Sequence, residues 1–270
     1  MVTGRSGALV LFLAAAVMAA CASDARPPAI GAAVTKAARS NASCSRWRVV
    51  KSPDGGSANS TLYSGDFDGA NDGWAVGSYQ HGAFRTLAER WNGSSWKIVA
   101  TKNLGSGDNN LVGVVALSAS SAWAVGDWNP TQMSTPRTLV EHWNGKKWSV
   151  VASPSLGQLS GLSDVAASGP NDIWSVGAYF NRAGNQQTLI ERWDGSAWKI
   201  VSSPSPGASY NALSHLAIVS ANDIWAVGYY SSDSGGTSQT LVERWNGHTW
   251  SVVPSPNAPN SVYDSLGGVV

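Results

Sequence analysis

Charge is scarce in this chain. Only 13% of its 270 residues are Asp, Glu, Lys or Arg, and 18 basic against 17 acidic side chains leave a net charge of +1. Globular proteins carry roughly 25% charged residues. A surface this neutral gives no electrostatic grip on nucleic acid or on an anionic bilayer. Cysteine is scarcer still: Cys21 and Cys44 stand alone, which excludes a disulfide framework and any multi-cysteine zinc or iron–sulfur site. The 4 histidines are scattered, so no histidine cluster is in prospect, and no cofactor is implied. Phe and Met number 4 and 3, against 14 Trp, so one aromatic is used repeatedly. With 43% apolar residues and balanced charge, intrinsic disorder is excluded as well.

The N-terminus reads as an address. Arg5 precedes an apolar run of 13 residues from Ala8 to Ala20, too short to span a bilayer and of the right length for a signal-peptide core. The run ends Met18-Ala19-Ala20-Cys21, which resembles a bacterial lipobox. That resemblance implies lipid attachment at Cys21, with residues 1–21 removed or anchored. Ordinary cleavage after Ala22 is the alternative, and export follows from either. Residues 22–45, rich in Ala, Ser, Pro and Arg, read as a flexible stalk.

From residue 46 onward one unit repeats and no helical periodicity is present. NDGWAVGSY (71–79) recurs as SSAWAVGDW (120–128), NDIWSVGAY (171–179) and NDIWAVGYY (222–230). TLAERWNGSSW (86–96) recurs as TLVEHWNGKKW (138–148), TLIERWDGSAW (188–198) and TLVERWNGHTW (240–250). Trp74, Trp123, Trp174 and Trp225 are spaced by 49, 51 and 51 residues. A period near 50 belongs to propellers and solenoids. Each unit divides into four short strands, exemplified by 162–168, 173–179, 188–193 and 197–202. The Asn-Gly or Asp-Gly pairs at 92–93, 144–145, 194–195 and 246–247 predict tight hairpins with both central residues at positive φ. Four antiparallel strands per unit are the arithmetic of a propeller blade. The expected fold is therefore an all-β propeller of four complete blades over residues 46–270. A fourth strand at 45–51 and a first strand at 264–270 are expected to belong to a further, split blade.

The motifs WAVG and TL-x-ER-WNG-x-x-W resemble the kelch and galactose-oxidase-type propeller repeats of exported bacterial proteins. The W-N/D-G-x-x-W turn is also similar to the Asp-box of sialidase-like propellers, with the Asp displaced by one residue. The galactose-oxidase copper chemistry does not carry over, because the repeats contain no Cys.

The recurring tryptophans read as wedges between blades: Trp74, Trp123, Trp174 and Trp225 from the second strands, and Trp91, Trp143, Trp193 and Trp245 from the third. Large aromatics of this kind dominate core burial. A catalytic residue is expected to break the repeat. Glu89, Glu141, Glu191 and Glu243 recur in every unit, and Arg90, Arg192 and Arg244 in three of the four; recurrence reads as structural strand pairing rather than acid/base chemistry. His142, Asp164 and His215 break the repeat, but glycoside hydrolysis needs two flanking carboxylates and Asp164 has no evident acidic partner. No catalytic residue is assigned, and an enzyme is not the expectation. Asp66, Asp68 and Asp72 place oxygen ligands at short spacing and form a weak calcium candidate that lacks the distal Glu of an EF-hand.

Length variation falls in the second-to-third and fourth-to-first connections, which strand alternation places at one end of the fold. At that end sit Tyr79, Trp128, Tyr179, Phe180, Tyr229 and Tyr230, with Asn129, Asn181, Gln186 and Gln187 nearby. Aromatic faces beside neutral amides suit sugar rings. The expected function is thus an exported binding or scaffolding module for a glycan or an envelope protein. Membrane contact would run only through the lipid, and a glycan-active enzyme is the alternative. Cys21→Ser should move the protein from the membrane fraction to the soluble fraction; unchanged membrane association would exclude lipid attachment at this residue.

Overall fold

A computed structural model describes residues 49–55, 59–231 and 237–270. The expected signal peptide, Cys21, the stalk and Cys44 lie outside the described residues. The unit Ser52–Val270 is built from sixteen strands in four antiparallel sheets, and the described residues include no helix. Blade 1 comprises β1 (Ser60–Gly69), β2 (Asp72–His81), β3 (Ala83–Trp91) and β4 (Trp96–Ile98). Blade 2 comprises β5 (Asn109–Ser118), β6 (Ser121–Trp128), β7 (Arg137–Trp143) and β8 (Trp148–Val150). Blade 3 comprises β9 (Leu159–Gly169), β10 (Asp172–Phe180), β11 (Gln186–Trp193) and β12 (Trp198–Ile200). Blade 4 comprises β13 (Tyr210–Ser220), β14 (Asp223–Ser231), β15 (Gln239–Trp245) and β16 (Trp250–Val252). Every sheet keeps its strands in chain order. The innermost strands pack in succession, β1 on β5, β5 on β9 and β9 on β13.

Each innermost strand carries a β-bulge at the same place, between Leu62 and Ser64, Leu111 and Gly113, Leu162 and Asp164, and Leu213 and His215. Opposite the bulge stands the glycine of WAVG. A Cβ at Gly77, Gly126, Gly177 or Gly228 would meet a carbonyl oxygen of the bulged strand at 1.8, 2.1, 2.1 or 2.0 Å. The recurring glycine is therefore required by close backbone approach.

The hairpin between third and fourth strands differs from the tight turn expected. Only the glycine takes positive φ (Gly93 +89°, Gly145 +86°, Gly195 +92°, Gly247 +93°), and the preceding Asn or Asp does not. The connection is four residues long. The side chain of Asn92 accepts the backbone N–H groups of Ser94 and Ser95, and Asn144, Asp194 and Asn246 do the same in their blades. The Asx side chain replaces the backbone turn, which removes the need for a second left-handed residue.

Both faces of each second strand are apolar, because each looks into a different joint. Trp174 and Val176 pack with Leu213, Ile224, Leu241, Trp245 and Trp250 of blade 4. Ile173 of the same strand packs with Trp123 and Val125 of blade 2. At every described joint the second-strand Trp inserts between the two hairpin tryptophans of the next blade. Ring centroids lie 4.9 and 4.8 Å apart for Trp74 with Trp143 and Trp148. They lie 4.9 and 5.5 Å apart for Trp123 with Trp193 and Trp198, and 5.1 and 5.8 Å for Trp174 with Trp245 and Trp250. Trp225 is half-buried, and the described residues place no tryptophan pair on it. Blade 1 departs from the repeat at its first face: Gly73 stands where blades 3 and 4 have Ile173 and Ile224, and the Phe67 ring occupies the vacated space and meets Trp96 edge-on at 5.7 Å.

Among the described residues of the two expected partial strands, none is in a strand. Residues 49–51 are irregular, and 45–48 lie outside the described residues. Residues 264–270 are irregular too, although the segment lies against blade 4: Ser238 bridges Tyr263 in parallel, and Leu266 N–H donates to Gly228 O at 3.1 Å. Without a neighbouring second strand to pair with, Asp264–Val270 docks by isolated bonds and not by a ladder.

Trp174→Ala should destabilise the protein by about 3–5 kcal/mol, as expected for a fully buried aromatic. Trp225→Ala should cost about half of that or less. Urea unfolding of the two variants checks this, and equal losses would contradict the wedge assignment.

Candidate ligand-binding site

The two ends of the blades are built from different chemistry. At the end that holds the first-to-second turns, Asp72, Asp172 and Asp223 accept from Arg90, Arg192 and Arg244 at 2.6, 2.6 and 2.8 Å. Each guanidinium lies over the Trp of its own blade, at 5.4 Å for Trp74, 4.8 Å for Trp174 and 5.2 Å for Trp225. Blade 2 replaces both partners at once. Ser121 Oγ meets His142 Nε2 at 3.2 Å, and the imidazole stacks on Trp123 at 4.3 Å. The repeat-breaking His142 thus keeps the stack and exchanges the ion pair for a neutral hydrogen bond. Burial lowers its pKa, which favours the neutral ring.

The recurring glutamates are all fully buried. They belong to joints between blades and not to strand pairing. Glu89 accepts from Ser52 Oγ at 2.8 Å, Glu141 from the Lys102 backbone N–H at 3.1 Å, and Glu191 from Ser153 Oγ at 2.6 Å. In each case the donor lies on the connector that leads into that blade. Neither oxygen of Glu243 has a hydrogen-bond partner among the described residues; Ser203, which stands where Ser153 does one blade earlier, shares a hydrogen bond with Thr188 at 2.7 Å. Desolvation raises all four carboxyls, Glu141 to about 7 and Glu191 and Glu243 to about 8. A Ser or Thr recurs five residues after Trp96, Trp148, Trp198 and Trp250 (Thr101, Ser153, Ser203, Ser255), and each bonds the third-strand Thr of its own blade; of the four, Ser153 also reaches a glutamate.

The opposite end carries the variable connections and an open cleft of about 610 Å³ between blades 2 and 3. Thr135 and Arg137 line it from the β6–β7 loop, and Ser155, Gln158 and Ser160 from the β8–β9 connection. The two loops are tied by Ser160 N–H to Pro136 O at 3.0 Å and by Thr138 N–H to Ser155 Oγ at 3.2 Å. Arg137 is exposed, with its guanidinium 5.9 Å from the centre of the Trp128 ring. Gln158 and Thr135 carry no repeat signature, so sequence alone could not select them, whereas Ser155 stands at a repeated position and accepts the Thr138 N–H as Ser205 accepts that of Thr188.

The six aromatics expected at this end are all half-buried and stand one blade apart. Trp128 packs on the joint of blades 1 and 2, Tyr179 on that of blades 2 and 3, and Tyr230 on that of blades 3 and 4. Tyr79 lies under Gly55. Phe180 pairs with Leu159, and Tyr229 with Ala212 on one side and Thr240 on the other. Trp128, Tyr179 and Tyr230 extend the joints, each at a different one; Trp128 borders the cleft through Arg137, and Tyr179 and Phe180 border it through Gly157 and Gln158.

Asp164 and His215, two of the residues that break the repeat, meet across the innermost strands of blades 3 and 4. Asp164 Oδ2 lies 3.4 Å from His215 Nδ1 and accepts the Leu216 N–H at 3.0 Å. The hydrogen bond to Asp164 raises the His215 pKa. The calcium candidates do not converge. Asp72 is held by Arg90, Asp66 accepts the Ala116 N–H at 2.8 Å, and no cluster of three metal-ligating side chains occurs among the described residues.

The buried glutamates set a pH dependence. Their folded pKa values lie above the ordinary 4.5, so the folded state holds protons that the unfolded chain releases. Stability from these groups is complete below about pH 4.5 and is lost as pH rises toward 8. Glu243→Gln, which keeps the neutral shape, should raise Tm at pH 8 by on the order of 5 °C and flatten the Tm–pH profile between pH 5 and 8. A profile that stays equally steep would place the titration elsewhere.

No family model matches the chain, and no curated protein is similar to it in sequence. Solved structures do resemble it. One, of YCF48 bound to a D1 peptide, is 17% identical, with TM-score 0.45, over 73% of this chain and 54% of that one. A fucose lectin from Kordia zhangzhouensis in complex with methyl-fucoside is 17% identical, with TM-score 0.36, over 55% of this chain and 99% of that one. A xylan β-1,4-xylosidase from Bacillus halodurans C-125 is 11% identical, with TM-score 0.43, over 73% of this chain and 42% of that one.

Proposed function

We propose that this protein is a kelch-like propeller module exported from the cell, anchored through Cys21, and that it binds glycans at the end carrying its variable loops. The observation that carries the reading is the cleft between blades 2 and 3. It offers hydroxyl, amide and guanidinium groups on loops fixed by backbone hydrogen bonds, the mixture that a polyhydroxylated ligand needs. The apolar side chains, by contrast, are spent mainly on the joints. An envelope protein as ligand is the competing partner, and the cleft is small and polar for that purpose.

A second reading, an enzyme acting on glycans, draws on the Asp164–His215 pair. A carboxylate that orients a half-exposed imidazole is an arrangement suited to proton transfer. It lies on the innermost strands, away from the cleft.

The test is a glycan array probed with the purified chain, followed by titration calorimetry of the best binder. Selective binding, weakened at least tenfold by Gln158→Ala with Tm unchanged, is the expected result. Binding that is insensitive to this change but abolished by His215→Ala would move the site to the innermost strands. Absence of binding by cooperatively folded protein would overturn the glycan reading.

A further inference from the structure

One position in the repeat shows how the blades deal with a polar side chain at the rim of the variable end. It lies directly across the ladder from the rim aromatic. Arg85 pairs in register with Tyr79, Arg137 with Trp128, Gln187 with Tyr179 and Gln239 with Tyr230. In three blades the protein satisfies that residue internally. Arg85 donates to Gly107 O at 3.3 Å, Gln187 to Gln186 O at 2.9 Å, and Gln239 accepts the Tyr230 hydroxyl. In blade 2 it does not. Among the described residues the Arg137 guanidinium makes no hydrogen bond and no ion pair; it lies against the indole of Trp128 and stands exposed at the cleft. The other cations of the repeated core positions, Arg90, Arg192 and Arg244, all have aspartate partners.

An arginine stacked on an aromatic face keeps its plane fixed and its five donors directed outward along its edge. The complementary acceptor is planar and anionic, a carboxylate taken in two parallel hydrogen bonds. Beside it, the Gln158 amide and the Thr135 hydroxyl also line the cleft without intramolecular side-chain bonds among the described residues, and both suit neighbouring hydroxyls. Arg137 is the one charged side chain in the lining of this cleft, so it decides the sign of ligand preferred there. Building on the glycan reading above, we propose that the cleft between blades 2 and 3 is a subsite for an acidic sugar, a hexuronate whose carboxylate is held by Arg137.

The probes are a galacturonic acid trimer, its methyl ester as the uncharged counterpart, and a sulfated trisaccharide. They are titrated against the full chain and against Arg137→Gln and Arg137→Lys. A charge-assisted bidentate contact predicts that the acid binds at least tenfold more tightly than the ester. Arg137→Gln should remove that preference, the acid losing at least tenfold more affinity than the ester, with Tm unchanged. Arg137→Lys should restore only part of it, because a point charge lacks the fork. Acid and ester bound equally, or a preference that survives Arg137→Gln, would overturn the proposal while leaving the glycan reading intact. A stronger preference for the sulfated sugar would overturn the carboxylate assignment. Binding of no saccharide at all by folded protein would overturn both.

Discussion

The structure depends on one contact, the insertion of a second-strand tryptophan between the two hairpin tryptophans of the next blade. A four-stranded sheet with two apolar faces is not stable alone. The wedge makes each blade half of a joint and lets the same sequence unit serve at every position. Other recurring residues follow from it. The guanidinium of the third strand lies on the outer face of the wedge and is steadied by the aspartate of the first turn. Blade 2 shows which part of that assembly matters. His142 and Ser121 give up the ion pair but keep the aromatic stack, in line with the small worth of exposed ion pairs.

The joints are sealed by a less expected group. In blades 1 to 3 a buried carboxyl accepts a hydrogen bond from the connector that enters the blade. Burial raises the pKa of all four glutamates, to about 7 for Glu141 and about 8 for Glu191 and Glu243. Blade 4 differs: Glu243 has no hydrogen-bond partner among the described residues. Repetition of sequence therefore does not produce equal joints.

With one end of the blades committed to turns, ion pairs and stacks, the other is free to vary. Loops held by the Ser160–Pro136 and Thr138–Ser155 bonds present a polar cleft on a rigid base. This separation of scaffold from variable loops is the physical reason a binding role fits the fold better than a role for the repeated residues themselves.

Sequence alone determined the repeat, its division into four strands, the blade count over the described unit and the wedge role of the tryptophans. These are local or periodic properties, and each is written several times in the chain. The structural role of Glu89, Glu141, Glu191 and Glu243 was legible from recurrence, but their position in the joints was not, because it joins residues on different blades. The tertiary structure decided what depends on single copies brought together across blades. It paired Asp164 with His215, gave Asp66 to the Ala116 N–H and Asp72 to Arg90, set Trp128, Tyr179 and Tyr230 on three different joints, and placed Arg137 and Gln158 in one cleft. It also decided that Asp264–Val270 forms no strand, since a ladder needs a neighbour that local sequence cannot supply.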